Sequence, residues 1–254
     1  MKSYVSRFLW LVLALGAGVS AQPVSTPSNR STAAHALVIG NGAYVNAPKL
    51  ANPVNDAKAI GAKLTKLGFA VTTVQDASRA GLLNAMEAFK RSAAGSDLTL
   101  LFYSGHGLQV QGEVYLVPVD ATTDKSGIQA TGVPLRVVMD QFMPGKRRLV
   151  LYDSDLDDPF ASAGSAKSAP VNESTEALIA YASRVGAAAL DGEGSNSPFT
   201  QALLDHIGDP IDIGLVLRKV REQVFKATHG LQGTWEQSSL SGGALVLSRT
   251  KRAR

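Results

Sequence analysis

The chain has 254 residues, of which 45% are apolar and 18% charged, a balance that suits one globular domain with short appendages and excludes a disordered polyelectrolyte. Much of the formal charge of +4 sits at the ends, on Lys2 and Arg7 at the start and on Arg249, Lys251, Arg252 and Arg254 at the finish, so the body is near neutral and argues against a nucleic-acid surface. The sequence contains no cysteine, which excludes disulfides and a thiolate nucleophile.

Lys2 and Arg7 precede an uncharged apolar run, Phe8 to Val19, which is too short to span a bilayer comfortably. With Val19-Ser20-Ala21 behind it, the segment 1–21 reads as a signal peptide cleaved after Ala21. The mature protein is then expected to be periplasmic or secreted, with no membrane contact after cleavage. Residues 22–33 are rich in Ser, Thr and Pro and lack an apolar period, so they read as a linker. Residues 249–254 form a basic tail, and one domain is expected over 34–248.

Order begins at His35-Ala36-Leu37-Val38-Ile39-Gly40, a buried strand ended by Gly. Pro53 opens a helix carrying Ala57, Ile60, Leu64 and Leu67, which Gly68 stops. Phe69 to Val74 reads as a second strand, and Ser78 caps a helix with Leu82, Leu83, Met86 and Phe89 inward. Asp97 to Tyr103 is apolar almost throughout, as expected of a central strand covered on both faces. Gln109 to Val119 reads as a hairpin with a turn at Gly112, and Pro134 to Phe142 as a helix. Arg147 to Tyr152 and Ala177 to Ala182 are further strands. Residues 161–174, mostly Ala, Ser and Gly, are expected to form a mobile loop. Ser197-Pro198 starts a helix expected through Ile207, another helix is expected from Ile213 to Ala227, and a sixth strand from Gly243 to Leu247. Alternating strands and helices predict an α/β fold with parallel pairing.

Sites in open α/β sheets form at the carboxyl ends of the strands. Two polar loops fall there: Ser104-Gly105-His106-Gly107 after the third strand and Asp153-Ser154-Asp155 after the fourth. If those strands are neighbours, His106 and Asp155 face one cleft, where a glycine-flanked histidine is placed to act as a general base. His35, His206 and His229 sit at element ends and read as structural. Four scattered histidines without cysteine give no zinc-ligand spacing. Gly40-Asn41-Gly42 lacks the third glycine of a dinucleotide loop, so no nucleotide is expected.

The segments ALVIGNGAYVNAPKLANPVNDA, LFYSGHGLQVQGEVYLVPVDA, LIAYAS and SPFTQALLDHI resemble the caspase-like peptidases, specifically the bacterial caspase-domain and metacaspase group. The resemblance implies a three-layer α/β/α sandwich around a mostly parallel six-stranded sheet. It implies that His106 is the catalytic base and that Ser104 is the serine beside it. It also implies that Asp56 and Asp153 line a pocket for an Arg or Lys side chain, which carboxylates hold by charge-assisted hydrogen bonds. An ordinary helix first turn accounts for Asp56 as well, and a strand-end turn for Asp153. In the family the nucleophile lies in Asp-Ala-Cys-Arg-Asp-Asn-Pro-Phe. The matching stretch here runs from Asp153 through Ser154, Asp155, Leu156, Asp157 and Asp158 to Pro159 and Phe160, so Asp155 stands at the cysteine position.

A carboxylate is a weak nucleophile, and Asp155 within reach of His106 would pair with it and favour the imidazolium. The expected function is therefore that of an exported pseudopeptidase. It would bind peptides or proteins with exposed Arg or Lys, an active paralogue among them, without cutting them. Two alternatives stand beside it. One is a hydrolase using Ser154 with His106. The other is a calcium-binding module built on Asp153, Asp155 and Asp157, although Asp158 and Gly164 occupy the positions where an EF-hand needs Gly and Glu. An Asp153–Asp155 dyad is disfavoured, because alternate side chains on a strand stand about 6–7 Å apart. No other cofactor or metal is expected.

Overall fold

Strand β1, Ala34–Gly40, is buried almost throughout, and its side chains divide between two cores. The computed structural model describes residues 34–122, 124–154, 176–184, 189–190, 192 and 194–248. The proposed signal segment, linker and basic tail, the loop 161–174 and Asp155 all lie outside these described residues.

After β1 come α1 (Pro53–Lys66), β2 (Ala70–Gln75), α2 (Arg79–Ser92) and β3 (Leu98–Ser104). Pro53 opens α1, and the Ser78 side chain caps α2 by accepting from the Gly81 amide, as the sequence suggested. A hairpin, β4 (Gly107–Val110) and β5 (Glu113–Leu116), turns through Gln111 and Gly112, both at positive φ. That pair of angles marks the turn type that twists with the strands. Then follow α3 (Lys125–Thr131), β6 (Val133–Pro134), α4 (Leu135–Val137), β7 (Arg147–Asp153), β8 (Glu176–Tyr181), α5 (Pro198–His206), α6 (Ile213–Ala227) and β9 (Trp235–Ser238).

The main sheet has the order β2-β1-β3-β7-β8-β9. Its first five strands are parallel, and β9 is antiparallel to β8. Every residue of β3 is buried, which is what the apolar run of the sequence required of a central strand. Alternate residues feed opposite layers. Leu100 and Phe102 join Leu149, Leu151 and the inner faces of α1, α5 and α6, whereas Leu101 and Tyr103 join Val150, Tyr152 and the inner face of α2. The result is a three-layer α/β/α arrangement.

Two sequence expectations are corrected, and one helix is added to them. Gly243–Leu247 is not a strand. Leu245 and Leu247 are buried, but the Leu245 carbonyl accepts from Ile213 N, and its amide donates to Asp212, at the start of α6. The apolar signal there reflects burial against a helix end, and the sixth strand is Trp235–Ser238. Pro134 to Phe142 is not one helix. Pro134 pairs in β6, three residues form α4, and a π-turn continues through Val138–Phe142. A helix over Lys125–Thr131 was not foreseen, although Asp124 caps it by accepting from the Gly127 amide.

Candidate functional site

The strand order reverses between β1 and β3, and the crevice above that point is where such sheets place their sites. Strands β3 and β7 are direct neighbours, with Ser104 opposite Asp153. The two polar loops picked out in the sequence therefore leave the sheet side by side.

The loop between β1 and α1 forms one wall. Buried Asn41 ties it down: Nδ2 donates to the Val117 carbonyl at 3.1 Å, and Oδ1 accepts from Ala77 N at 3.0 Å. Asp76, itself at φ +46°, accepts from the Gly42 and Ala43 amides at 2.8 Å each. Tyr44 and Pro48 are thereby set against His106. The His106 amide donates to the Tyr44 hydroxyl at 2.7 Å, and the Tyr103 hydroxyl donates to the His106 carbonyl at 2.5 Å. The Tyr44 and His106 rings lie 4.4 Å apart, centroid to centroid. Burial pushes both tyrosine hydroxyls well above their ordinary range, which keeps them neutral and able to donate.

The ring nitrogen Nε2 of His106 lies 2.8 Å from the Pro48 carbonyl oxygen. A carbonyl only accepts, so Nε2 carries a proton, and in the neutral ring Nδ1 is the nitrogen left to take one. The two glycines beside His106 serve close packing. Gly105 is at φ +155°, and a Cβ there would crowd the Tyr44 and Tyr103 hydroxyls. A Cβ on Gly107 would collide with the Tyr152 hydroxyl and Ser154 Oγ.

The opposite wall is acidic. Asp56, in the first turn of α1, is fully buried. Its Oδ2 accepts from Ser104 Oγ at 3.0 Å, and its Oδ1 accepts from Asn196 Nδ2 at 2.9 Å and Ser197 N at 3.1 Å. Asp153 is also buried, and its Oδ2 accepts from Ser197 Oγ at 2.5 Å and Thr200 Oγ1 at 2.7 Å. Ser197 doubles as the N-cap of α5, accepting from Thr200 N. One serine thus joins both carboxylates to a helix start.

Between these walls is a cavity of about 70 Å³, lined by Ser104, His106, Asp153, Ser154 and Ser197, with Leu50 and Leu190 at its sides. Larger clefts of about 620 and 460 Å³ lie along α5 and α6 and beneath the C-terminal segment. They gather solvated charges and small residues, so volume does not select the site. The convergence of a histidine with two buried carboxylates does.

The structure therefore brings together Asp56, Ser104, His106 and Asp153. The other histidines lie apart: His35 bonds to Ser96, His206 to Gln223, and His229 sits at positive φ beyond α6. Ser154 Oγ is buried and has no hydrogen-bond partner among the described residues. A Ser154–His106 hydrogen bond is therefore not formed here. Asp155 and Asp157, which the calcium reading needs, lie outside the described residues. Among the described residues no group of three or more His, Asp or Glu could hold a metal ion. Sequence reasoning missed Tyr44, Pro48, Tyr103, Asn196 and Thr200. Ser197 had shown only its helix-start signal.

Comparison with known proteins agrees with this fold. The caspase-domain profile matches residues 33–244. The Mus musculus mucosa-associated lymphoid tissue lymphoma translocation protein 1 homolog is 28% identical over 216 residues, which are 81% of this chain and 25% of that protein. The Homo sapiens protein of the same name matches at 28% over 216 residues, 81% of this chain and 26% of its own length. The chain thus spans about a quarter of the length of these curated relatives. The crystal structure of caspase-1 from Spodoptera frugiperda superposes with a TM-score of 0.65 at 17% identity, over 87% of this chain and 92% of that one. At that identity the likeness is one of fold.

Proposed function

The chain belongs to the caspase-domain family, and on that premise we propose that it is an exported pseudopeptidase that binds Arg- or Lys-bearing peptide segments without cutting them. One observation carries the proposal: the sequence has no cysteine. The resemblance of residues 153–160 to the family motif, which would put Asp155 at the position of the nucleophile, supports it. Acyl transfer needs a group that attacks a carbonyl and then leaves from the acyl-enzyme, and a carboxylate does this poorly. Asp56 and Asp153, buried on either side of Ser104, support a preference for cationic side chains.

A second reading, an active hydrolase, draws on Ser154, whose buried hydroxyl lines the same cavity as His106. One pair of variants separates the two. Asp155→Cys is expected to cleave fluorogenic Arg and Lys peptides, with the activity lost again when His106→Ala is added, while the parent shows no turnover. Turnover by the parent, in a preparation free of contaminating proteases, overturns the pseudopeptidase reading. If Ser154→Ala then abolishes that turnover, the serine is the nucleophile.

A further inference from the structure

We propose that Asn196 and Ser197 are an internal stand-in for the basic ligand, and that the pocket loads only by exchange, when a cationic side chain displaces them; this rests on the basic-pocket reading above. The Asn196 carboxamide and the Ser197 amide place two N–H donors on one oxygen of Asp56, at 2.9 and 3.1 Å. A guanidinium presents the same feature, neighbouring N–H groups directed at a carboxylate. Ser197 Oγ also occupies the second carboxylate, Asp153, at 2.5 Å. With both acids engaged, the remaining cavity of about 70 Å³ lies far below the roughly 300 Å³ at which ligand pockets usually begin.

The stand-in is placed to move. Asn196 is only half-buried, and Gly194 and Ser195 before it are exposed. Its contact with Asp56 crosses 140 positions of sequence and spans from the start of α5 to the first turn of α1. The donors on the two carboxylates named here, Ser104, Asn196, Ser197 and Thr200, are neutral. A cationic donor adds direct charge–charge attraction to its hydrogen bonds on a buried carboxylate, where screening is weak, so a guanidinium or ammonium displaces them, whereas a neutral amide of the same shape gains nothing by the exchange. The arrangement therefore selects for charge as well as for fit.

The probes are a short peptide amide ending in arginine and the same peptide ending in citrulline, its neutral isostere, with binding measured by calorimetry. The parent is expected to bind the arginine peptide and not the citrulline one. Asn196→Ala removes the competitor and should bind the arginine peptide about tenfold more tightly, since a hydrogen bond to a charged group carries roughly that factor, and it should begin to take citrulline. Because removing Asn196 withdraws a partner from a buried carboxylate, a measurement on the unaltered protein stands beside it. Hydrogen exchange at the Ser197 amide should speed up when the arginine peptide is added. Equal arginine affinity in parent and variant, together with unchanged or slowed Ser197 exchange, overturns the stand-in and leaves the basic pocket in place. No arginine binding by either protein overturns the basic pocket, and the stand-in with it.

Discussion

The two walls of the cavity are held by different kinds of contact. On the histidine side the grip is on the main chain: Tyr44 accepts from the His106 amide, Tyr103 donates to its carbonyl, and a backbone carbonyl fixes the ring. On the acidic side, Ser104, Asn196, Ser197 and Thr200 converge on two carboxylates, chiefly through their side chains. A main-chain grip holds position whatever the side chain's charge state. Side-chain donors on a carboxylate can be exchanged for other donors. The histidine is thus fixed in place while the donors on the carboxylates are replaceable, and this difference can be broken at either wall.

The largest effect is expected at Asp56. Its replacement by Ala strands Ser104 Oγ, Asn196 Nδ2 and the Ser197 amide together. Unsatisfied buried donors cost about 1–3 kcal/mol each, and water entering the space left by the carboxylate recovers part of that. The expected loss is about 3 kcal/mol, read from urea unfolding at constant m-value. Asp56→Asn, which keeps an acceptor, should lose less. A loss below about 1 kcal/mol for the alanine variant would show that water satisfies these donors readily, and the acidic wall would then be a hydrated surface.

Tyr103→Phe tests the other wall at smaller cost. The hydroxyl donates its one proton to the His106 carbonyl at 2.5 Å, with the Val117 carbonyl 3.1 Å away, and accepts from the Val117 amide. Its removal should cost about 2 kcal/mol and shift the His106 backbone resonances in NMR spectra. The Asn196 carboxamide signals should stay in place, because the Tyr103 hydroxyl bonds to Tyr44, His106 and Val117, which lie away from the acidic wall. Movement of both sets would mean that the walls act as one unit.

Much of this was legible from the sequence, for identifiable reasons. The largely apolar run of β3 announced a central strand and the short apolar run of β1 a buried one, and the turn glycines and the proline at the start of α1 marked their ends. Ser104, His106 and Asp153 could be found because parallel strands deliver their carboxyl ends to one edge. Asp56 came only from the family likeness, since a first-turn acid is unremarkable by itself. Pro48 left no trace, because it acts through a carbonyl that every residue carries. Asn196 meets Asp56 only through tertiary folding across 140 positions. β9 was missed because Trp-Glu-Gln-Ser has one apolar side chain and forms an exposed or half-exposed edge. The apolar Gly243–Leu247 stretch imitated the signal that β9 lacks.

The smallest effect is expected at the far end of β1, and it supplies a control for both walls. His35 Nδ1 lies 2.7 Å from Ser96 Oγ, and burial lowers its pKa below the ordinary value of 6.5. Between the lowered folded value and 6.5 the unfolded chain binds the proton more readily, so folding stability is full above pH 6.5 and declines as the pH falls through the folded value. His35→Asn should flatten that limb of the stability profile, measured by urea unfolding at stepped pH. The His106 backbone and Asn196 carboxamide resonances should stay where they are, because the contact sits at the amino ends of β1 and β3, and the cavity lies at their carboxyl ends. If the variant keeps the full slope, the acid sensitivity belongs to another group. If the site resonances move with His35, the sheet couples its two ends, and contacts at the walls alone would not account for the stiffness of the cavity.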